Sequence, residues 1–527
     1  MHSRAWLATL LLAAAPLAPA APQTICTITL NSPDEREAFR RHLPEGRFDF
    51  VELVERGNPD WLATSCRKGV RCDVLLVSGH FAGTEFYASR PDLKVETLPV
   101  DVLERAACSE SCPGLFERLK EVYLFGCDTL NPTPVRVSTP EMVLALQREG
   151  ATPEAAVRQA RELAERHGES ARDHMRRLFA GVPVIYGFSS KAPYGRYAGP
   201  MLEGLFRSAG TAEVGTGVAS ERLRLLFAPA SMVVTTGLAS GEPNADYRAE
   251  ACRYHDTRLT NGQRLSSIHA TLSASMAQAR LSLDRIEKFL AGLTAADRSA
   301  PAFATALATI AADASLGERF LLMTRDTADP AVRLRLIAVA RELGWLDGEG
   351  VRAEQVRLVG ELVASKSSGF HEVELVCGLN RGGELDGRVA RHPGPLGAAA
   401  HASLACLGDP ESRARAIEAL VSADVTEVQA AASYLRHRPI TETEELRAVA
   451  GRMARMSNPA AQARALEALA RLHVEDAHVL DELASLHGRT RSHAVREAIK
   501  EIYLRAGRPF SGTPRAPSSS GAPARSG

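Results

Sequence analysis

Two apolar runs decide the fold of this chain, 73-DVLLVSGH-80 and 121-EVYLFGC-127. Each is a short stretch of β-branched, aliphatic or aromatic residues followed at once by Ser-Gly or Gly. This composition is typical of a buried parallel strand that stops at a tight turn. The two turns carry His80 and Cys127. Because neighbouring parallel strands form a crevice at their carboxyl ends, the pattern predicts that these two side chains meet there.

A histidine beside a cysteine is the arrangement of a thiol nucleophile with its general base. The imidazole accepts the thiol proton, and the resulting thiolate attacks a carbonyl carbon. We therefore take His80 and Cys127 as the candidate catalytic residues. The alternative interpretation is a buried structural cysteine and an unrelated histidine.

The residues before Cys127 alternate between strand and helix patterns. The segments 25–30 (ICTITL) and 48–53 (FDFVEL) have strand composition, and 32–43 between them has the pattern of a helix. A helical return is predicted over 101–107 and 113–120. Right-handed crossovers would place these two strands and the two runs above in one parallel sheet.

The turns also carry a family pattern, in which Gly79-His80 closes one strand and Gly126-Cys127 closes the other, 47 residues later. This arrangement resembles the caspase-like superfamily of cysteine peptidases, which includes caspases, gingipains, legumains and CHAT domain proteins. The spacing is close to the roughly 50 residues of caspases. One position departs from the pattern, because Phe81 stands where the family usually has Gly. The resemblance covers residues 25–245 and implies an α/β domain with a mostly parallel sheet flanked by helices.

The resemblance implies further roles around the nucleophile. The backbone N–H of Cys127, together with one near Gly79, would hold the oxyanion of the tetrahedral intermediate. Asp128, next to the nucleophile, is a candidate pocket residue that would favour a basic substrate side chain. The alternative for Asp128 is a solvated carboxylate or a helix cap.

A second group of pocket candidates lies further along the chain. A helix-rich insert is predicted over 151–180, and an apolar strand that ends in a loop with Gly and Ser follows over 182–195. In caspase-like proteins the strand after the nucleophile leads into the substrate pocket. The resemblance therefore implies that Ser189, Ser190 and Lys191 line this pocket. An ordinary junction of strand and loop is the alternative.

The first 20 residues have the pattern of a secretory signal peptide. Arg4 is followed by an apolar run from Trp6 to Ala15 and by the small-residue sequence Ala18-Pro19-Ala20. The run is too short for a membrane anchor, and no later stretch could span a bilayer. The chain is therefore predicted to be exported, to a periplasm or to the medium. Residues 507–527, rich in Pro, Ser, Gly and Arg, are predicted to be a disordered tail.

The charges of the chain cancel, with 63 basic and 63 acidic residues. This balance favours neither nucleic acid nor an anionic membrane as partner. No CxxC pair occurs and the histidines are scattered, so no metal site is predicted, and no cofactor is expected.

Nine cysteines in an exported chain leave one unpaired in an oxidising compartment. Cys127 is the candidate for this odd thiol. Cys66 with Cys72, and Cys108 with Cys112, are spaced for local disulfides. Free buried thiols are the alternative at these four positions.

The second half of the chain has a helical pattern. Residues 246–299 are predicted to be a connecting helical segment, and 300–506 a set of helical repeats. Three similar units recur, DPAVRLRLIAVA (329–340), DPESRARAIEAL (409–420) and NPAAQARALEAL (458–469). Each has an Arg five residues after its Pro (Arg335, Arg415 and Arg464). The spacing resembles HEAT repeats, whose stacked helices form curved surfaces that bind polypeptides. An irregular helical domain is the alternative.

Two functions from different classes follow from these patterns. The first is an exported cysteine endopeptidase that uses a His80/Cys127 dyad, with the repeats recruiting a protein partner or substrate. The second is a catalytically inactive caspase-like fold that acts as a protein-binding scaffold. The retained His and Cys favour the first function, whereas Phe81 favours the second.

Overall fold

The computed structural model of the chain describes residues 21–88, 97–108, 112, 114–133, 139–166, 170–208, 210–242, 245–390, 394–472 and 474–510. The predicted signal peptide and residues 511–527 of the predicted tail lie outside the described residues. The chain divides into two compact units between Ala312 and Asp313. The first unit contains all the strands of the described residues, and the second unit is helical.

The described strands form two sheets in the first unit. They are β1 Gln23–Thr29, β2 Phe48–Glu52, β3 Val74–Ser78, β4 His80–Phe81, β5 Glu85–Tyr87, β6 Leu98–Pro99, β7 Glu121–Phe125, β8 Val184–Phe188 and β9 Met232–Thr235. The larger sheet has the order β2-β1-β3-β7-β8-β9. All neighbours in it are parallel except β8 and β9. The predicted parallel arrangement of β1, β2, β3 and β7 is therefore confirmed.

A second, antiparallel sheet joins β4, β5 and β6 directly after the His80 turn. The sequence did not predict this sheet, because strands of two or three residues are too short to show an alternating pattern. It places Phe81 opposite Phe86.

Helices pack on both faces of the larger sheet. Those of the first unit are α1 Asp34–His42, α2 Trp61–Arg67, α3 Val100–Ala107, α4 Pro140–Arg148, α5 Pro153–Arg166, α6 Ala171–Leu178, α7 Gly195–Arg207, α8 Glu221–Leu226, α9 Ala245–Arg253, α10 Asn261–Ala274, α11 Met276–Leu281, α12 Leu283–Ala291, α13 Ala295–Ser299 and α14 Pro301–Ala311. Leu75 and Val77 of β3 share a core with α2, α3 and α6, whereas Val74 and Leu76 share a core with α1 and α7. Burial on both faces explains why the strand is a continuous apolar run.

The segment predicted as a connector, 246–299, belongs to the first unit. Glu104 on α3 pairs with Arg177 on α6 at 3.5 Å and with Arg285 on α12 at 3.4 Å. Both guanidinium groups lie over the ring of Tyr247 on α9, at 4.6 and 4.5 Å from its centroid. Burial would raise the pKa of Glu104, but the two arginines outweigh it and lower the pKa to about 2. The carboxylate therefore stays ionised and ties α9 and α12 to the α/β layers.

The second unit consists of helices in the described residues. They are α15 Ala314–Asp326, α16 Pro330–Glu342, α17 Gly348–Ala364, α18 Phe370–Leu379, α19 Ala398–Cys406, α20 Pro410–Ala419, α21 Val425–His437, α22 Thr443–Met453, α23 Pro459–Ala470, α24 Ala477–Arg489 and α25 His493–Arg505. The three recurring units begin α16, α20 and α23, and the Asp or Asn before each Pro caps its helix (Asp329, Asp409 and Asn458). These helix starts are confirmed, because a side-chain acceptor and a Pro at the first position satisfy local rules.

Two arginines that were not noted in the sequence, Arg413 and Arg333, join helices of the second unit. Arg413, three residues after its Pro, forms a bidentate pair with Glu445 on α22 at 2.6 and 2.8 Å. Arg333, at the same position of its unit, pairs with Glu361 on α17. Arg415 instead pairs along its own helix with Glu418. In these two units, the residue three positions after Pro therefore faces a neighbouring helix.

Four disulfides join eight of the nine cysteines, in pairs that differ from the predicted ones. The bonds are Cys26–Cys72, Cys66–Cys112, Cys108–Cys252 and Cys377–Cys406. The predicted local pairs, Cys66–Cys72 and Cys108–Cys112, are wrong. The pairing depends on which elements are neighbours: Cys26 on β1 meets Cys72 just before β3, with 5.5 Å between their Cα atoms. Cys127 is the free cysteine, as the odd count predicted.

Four disulfides fit a protein that folds in an oxidising compartment. In the described part of the chain, every helix is too short or too polar to cross a bilayer. The disulfides are consistent with the predicted export.

The cysteine pairing can be checked by peptide mapping of the non-reduced protein. We expect the four linked pairs given above and a single alkylated cysteine, Cys127, because it is the free thiol of the fold. The reduced and denatured protein, in which all nine cysteines should be alkylated, is the control. A peptide that links Cys66 to Cys72 would contradict the structure.

Candidate active site

The last residues of β1, β3 and β7 lie in one row across the sheet, and three side chains follow that row. Thr29, Ser78 and Phe125 are register partners on these strands. Asn31, His80 and Cys127 each lie two residues beyond that row. Since the three strands are parallel and adjacent, their carboxyl ends meet at the same edge. The sheet therefore places the two predicted residues at the ends of adjacent strands, with Asn31 at the end of the next strand.

The two turns that carry His80 and Cys127 pack tightly against each other. A Cβ atom on Gly126 would lie 2.8 Å from the carbonyl oxygen of Gly79 and 3.2 Å from Cβ of Phe81. Only glycine fits at this position without moving the neighbouring turn. Phe81, the departure from the family pattern, is buried, with its ring 4.7 Å from that of Phe86. Its ring thus contributes to the core.

The sulfur of Cys127 accepts a hydrogen bond from the protein. The backbone N–H of Ala192, in the loop between β8 and α7, donates to Sγ at 3.3 Å. The side chain of Cys127 is half-buried and is the free thiol of the fold. Cys127 therefore lies in a partly accessible, hydrogen-bonded position and not in an apolar core.

His80 is half-buried between polar and aromatic neighbours. Its Nε2 lies 3.3 Å from Nδ2 of Asn31. The ring centroids of Tyr87 and Tyr194 lie 5.5 and 6.3 Å from that of the imidazole. The loop between β8 and α7 thus contacts both candidate residues, through Ala192 at the sulfur and Tyr194 at the imidazole.

Asn31 is a site residue that sequence reasoning missed. Its amide can orient the imidazole, because a 180° rotation exchanges the donor Nδ2 with the acceptor Oδ1 and so suits either tautomer. The signal was present in the sequence, since Asn31 directly follows the strand ICTITL. The rule about strand ends that identified His80 and Cys127 would also have identified Asn31, given the order of the strands.

The predicted pocket residues have different surroundings. Asp128 is exposed, has φ 58°, and donates its N–H to the carbonyl oxygen of Ser190 at 2.6 Å. Ser189 is engaged elsewhere, because its N–H and hydroxyl both donate to the carbonyl of Ser231 at 3.0 and 3.2 Å. Lys191 is exposed in the same loop. Asp128 and Ser190 are therefore adjacent to the nucleophile, while the hydroxyl of Ser189 is turned toward Ser231.

One of the two hypothesised oxyanion donors is already engaged. The N–H of Gly79 donates to the carbonyl of Phe125 at 3.3 Å, as part of the contact between the two strand ends. This corrects the hypothesis for Gly79, because the bond that joins the turns occupies its donor. The N–H of Cys127 has no acceptor among the described residues, and it is the donor that remains.

An aromatic and basic rim lies beside His80 at the start of α7. Tyr194 and Tyr197 are 61% and 56% exposed, which is unusual for large side chains in a packed domain. The guanidinium of Arg196 lies over both rings, 5.6 and 4.9 Å from their centroids. Such a surface offers apolar contact and hydrogen-bond donors together.

Comparison with models of known protein families, with curated proteins and with solved structures finds no match for this chain.

Replacing Gly126 tests whether the close contact of the two turns positions the pair. Gly126→Ala should lower the rate of Cys127 alkylation by iodoacetamide at least tenfold, because the new Cβ must push the turns apart and small displacements of reacting groups are costly. Gly204→Ala is the matched control, since no atom lies within 4 Å of its Cβ position. Equal alkylation rates in both variants would show that the contact does not position Cys127.

Proposed function

We propose that this chain is an exported cysteine endopeptidase of the caspase-like type. The observation that carries the proposal is the single free thiol of an otherwise fully oxidised chain. That thiol lies at the end of β7, next to the strand end that carries His80, and it accepts an N–H donor at its sulfur. A thiol kept unpaired and half-buried in a crevice is better explained by chemistry than by packing.

The chemistry follows from the positions of the groups. His80 accepts the proton of the Cys127 thiol, and the thiolate attacks the carbonyl carbon of a peptide bond. The N–H of Cys127 donates to the oxyanion of the tetrahedral intermediate. The imidazolium of His80 then gives its proton to the leaving amine, which leaves a thioester on Cys127 that water hydrolyses. Asn31 holds the imidazole ring in place through its contact with Nε2.

Several features support a polypeptide as the substrate. Tyr194 and Tyr197 form an exposed aromatic rim next to His80, and aromatic side chains with a polar tip are common at surfaces that bind proteins. Asp128 is exposed next to the nucleophile and is available to a basic substrate side chain. A mostly parallel sheet with the His and Cys turns at neighbouring strand ends is also the arrangement that the caspase-like resemblance implies.

We propose further that the second unit is a HEAT-like array that recruits a protein partner or substrate. Its three capped Asp-Pro or Asn-Pro helices recur along the chain. A cleft of about 210 Å³ on this unit is lined by Phe370, Gln429, Ala432, Arg436, Arg464, Glu467, Ala468 and Arg471. The lining combines apolar side chains with charged ones, of which Arg436 pairs with Glu374 and Arg464 with Glu467, and such a mixed surface suits a polypeptide.

Specific observations favour a second candidate, a catalytically inactive fold that serves as a binding scaffold. The N–H of Gly79 is engaged by Phe125, and the position after His80 carries a side chain. The first feature leaves the candidate site with one backbone donor fewer, and the second places a side chain where the family pattern has Gly. The two functions predict different behaviour of Cys127.

A peptidyl electrophile that reacts with thiols distinguishes them. We expect it to label Cys127 in the full chain. His80→Ala should lower the labelling rate by about 10²–10⁴-fold, the usual contribution of a general base. Labelling is measured by mass spectrometry, with Cys127→Ala as the negative control. His42→Ala, at the end of α1, is the control for loss of a histidine outside the site. Equal labelling in wild type and His80→Ala would favour the scaffold.

The division of labour between the units can be tested with a fragment that ends at Ala312. A fragment that ended within residues 293–300 would lack α14, which packs closely against α10. The carbonyl oxygen of Ala302 on α14 lies only 2.4 Å from where a Cβ on Gly262 of α10 would be. We expect fragment 21–312 to keep labelling at Cys127, because the site lies wholly within the first unit. It should lose the binding of any protein that the full chain captures. Capture by the fragment alone would contradict recruitment by the second unit, and circular dichroism checks that the fragment is folded.

A further inference from the structure

A buried carboxyl group lies beneath the candidate site and is not used by the mechanism above. Glu35, in the first turn of α1, is 2% exposed. Its Oε2 lies 2.8 Å from the hydroxyl oxygen of Ser78, the last residue of β3. The same hydroxyl oxygen lies 2.9 Å from the carbonyl oxygen of Ser32. We call these three groups the Glu35–Ser78–Ser32 chain.

The number of available protons determines which groups donate in the Glu35–Ser78–Ser32 chain. A hydroxyl has one proton, and a carbonyl oxygen can only accept a hydrogen bond. If Ser78 donates to Ser32, its oxygen must accept from Glu35, so both contacts are hydrogen bonds only when Glu35 carries a proton. If Glu35 is ionised, Ser78 donates to the carboxylate instead. The carbonyl of Ser32 then loses its donor and faces a negative charge.

The chain touches each segment that holds the candidate site. Ser32 is next to Asn31, and Ser78 is two residues before His80. The carbonyl of Ser78 also accepts the N–H of Asn31 at 3.3 Å. At the start of α7, next to Tyr194, a Cβ on Gly195 would lie 2.2 Å from Oγ of Ser32 and 3.0 Å from Oε2 of Glu35. A change at Glu35 therefore reaches Asn31, His80 and the loop that contacts Cys127.

The surroundings of Glu35 favour its neutral form. Burial is the largest cause and raises the pKa to about 7. The backbone N–H of Glu35 and the hydroxyl of Ser78 oppose this rise, and the negative charge of Asp34 on the same helix adds to it. Two other elements pack against the carboxyl group, β3 through Ser78 and α7 through Gly195. Neither residue has a side chain that titrates. The titratable side chain that follows β3 is His80.

We propose that Glu35 is a positioning residue of the candidate site, which in its neutral form donates through Ser78 to Ser32 and so fixes Asn31 against His80. The proposal rests on the proposed function only in taking His80 as the base of Cys127. Below a pH of about 7 the carboxyl is mostly neutral and the Glu35–Ser78–Ser32 chain is intact. At higher pH the carboxyl ionises, Ser78 reverses its donation, and the carbonyl of Ser32, next to Asn31, loses this hydrogen bond, whereas the N–H of Asn31 stays bonded to the carbonyl of Ser78. The reactivity that depends on His80 should therefore fall on the alkaline side.

The test compares the pH dependence of Cys127 alkylation in full-length variants. Iodoacetamide is the probe, and the part of the rate that is lost in His80→Ala is followed from pH 5.5 to 9. In wild type this part should fall roughly fivefold between pH 7 and 8 and approach tenfold for the next pH unit, because the neutral fraction of Glu35 falls by those factors for a pKa of about 7. Glu35→Gln cannot ionise and keeps an N–H donor for Ser78, so it should retain the rate at pH 8 and above.

Two further variants make the result specific. Glu37→Gln, which removes a half-exposed carboxylate of the same helix that pairs with Arg36, should behave as wild type. Ser78→Ala breaks the chain at every pH, so its His80-dependent rate should be low throughout and lack the alkaline fall. This variant also decides the matter if Glu35→Gln does not fold.

The outcomes separate the inference from the proposed function. If His80→Ala alkylates like wild type at every pH, the dyad itself is wrong. If His80 matters but Glu35→Gln shows the wild-type alkaline fall, or Ser78→Ala matches wild type, only the role of Glu35 is wrong. A merely structural role of Glu35 would lower the rate equally at all pH values and leave the shape of the profile unchanged.

Discussion

The contact between the turns that end β3 and β7 is the constraint on which the candidate site depends. The carbonyl of Gly79 lies where a side chain of residue 126 would be, and the N–H of Gly79 is bonded to Phe125. Because of this close approach, the turns that carry His80 and Cys127 lie side by side at the carboxyl ends of β3 and β7. The contact also engages the N–H of Gly79, which is therefore not available to a bound molecule. The same contact thus fixes the positions of the two turns and uses one of their backbone donors.

Three of the four disulfides lie in the first unit and join elements of the α/β layers that carry this contact. Cys26–Cys72 joins β1 to the start of β3, and Cys66–Cys112 joins α2 to the segment before β7. Cys108–Cys252 joins the end of α3 to α9, across a separation of 144 residues. Cross-links that close long loops restrict the unfolded chain most in the entropic account of disulfides. The helices after residue 245 are thus secured to the α/β layers by a covalent bond as well as by the Glu104 ion pairs.

The polar groups of the site form two layers with different exposure. Asn31, Asp128 and Arg196 are exposed at the edge of the sheet, where they can contact a substrate. Glu35 and Ser78 are buried below, where they can contact only the protein. Burying a neutral carboxyl group costs free energy unless the group is hydrogen-bonded, and the hydroxyl of Ser78 is the partner of Glu35 in such a bond. Buried groups with shifted pKa values are found more often at functional sites than elsewhere in proteins.

The sequence by itself determined the local features of this protein. β3 and β7 were predictable because strands buried on both faces are continuous apolar runs, and the starts of α16, α20 and α23 because Asp-Pro and Asn-Pro are local capping signals. The unpaired thiol followed from an odd number of cysteines. Tertiary structure alone decided the disulfide partners, the contact of Asn31 with His80 across 49 residues, and the raised pKa of Glu35. These depend on which strands become neighbours and on what is buried beneath them, and such long-range packing leaves no periodic or local pattern in the sequence.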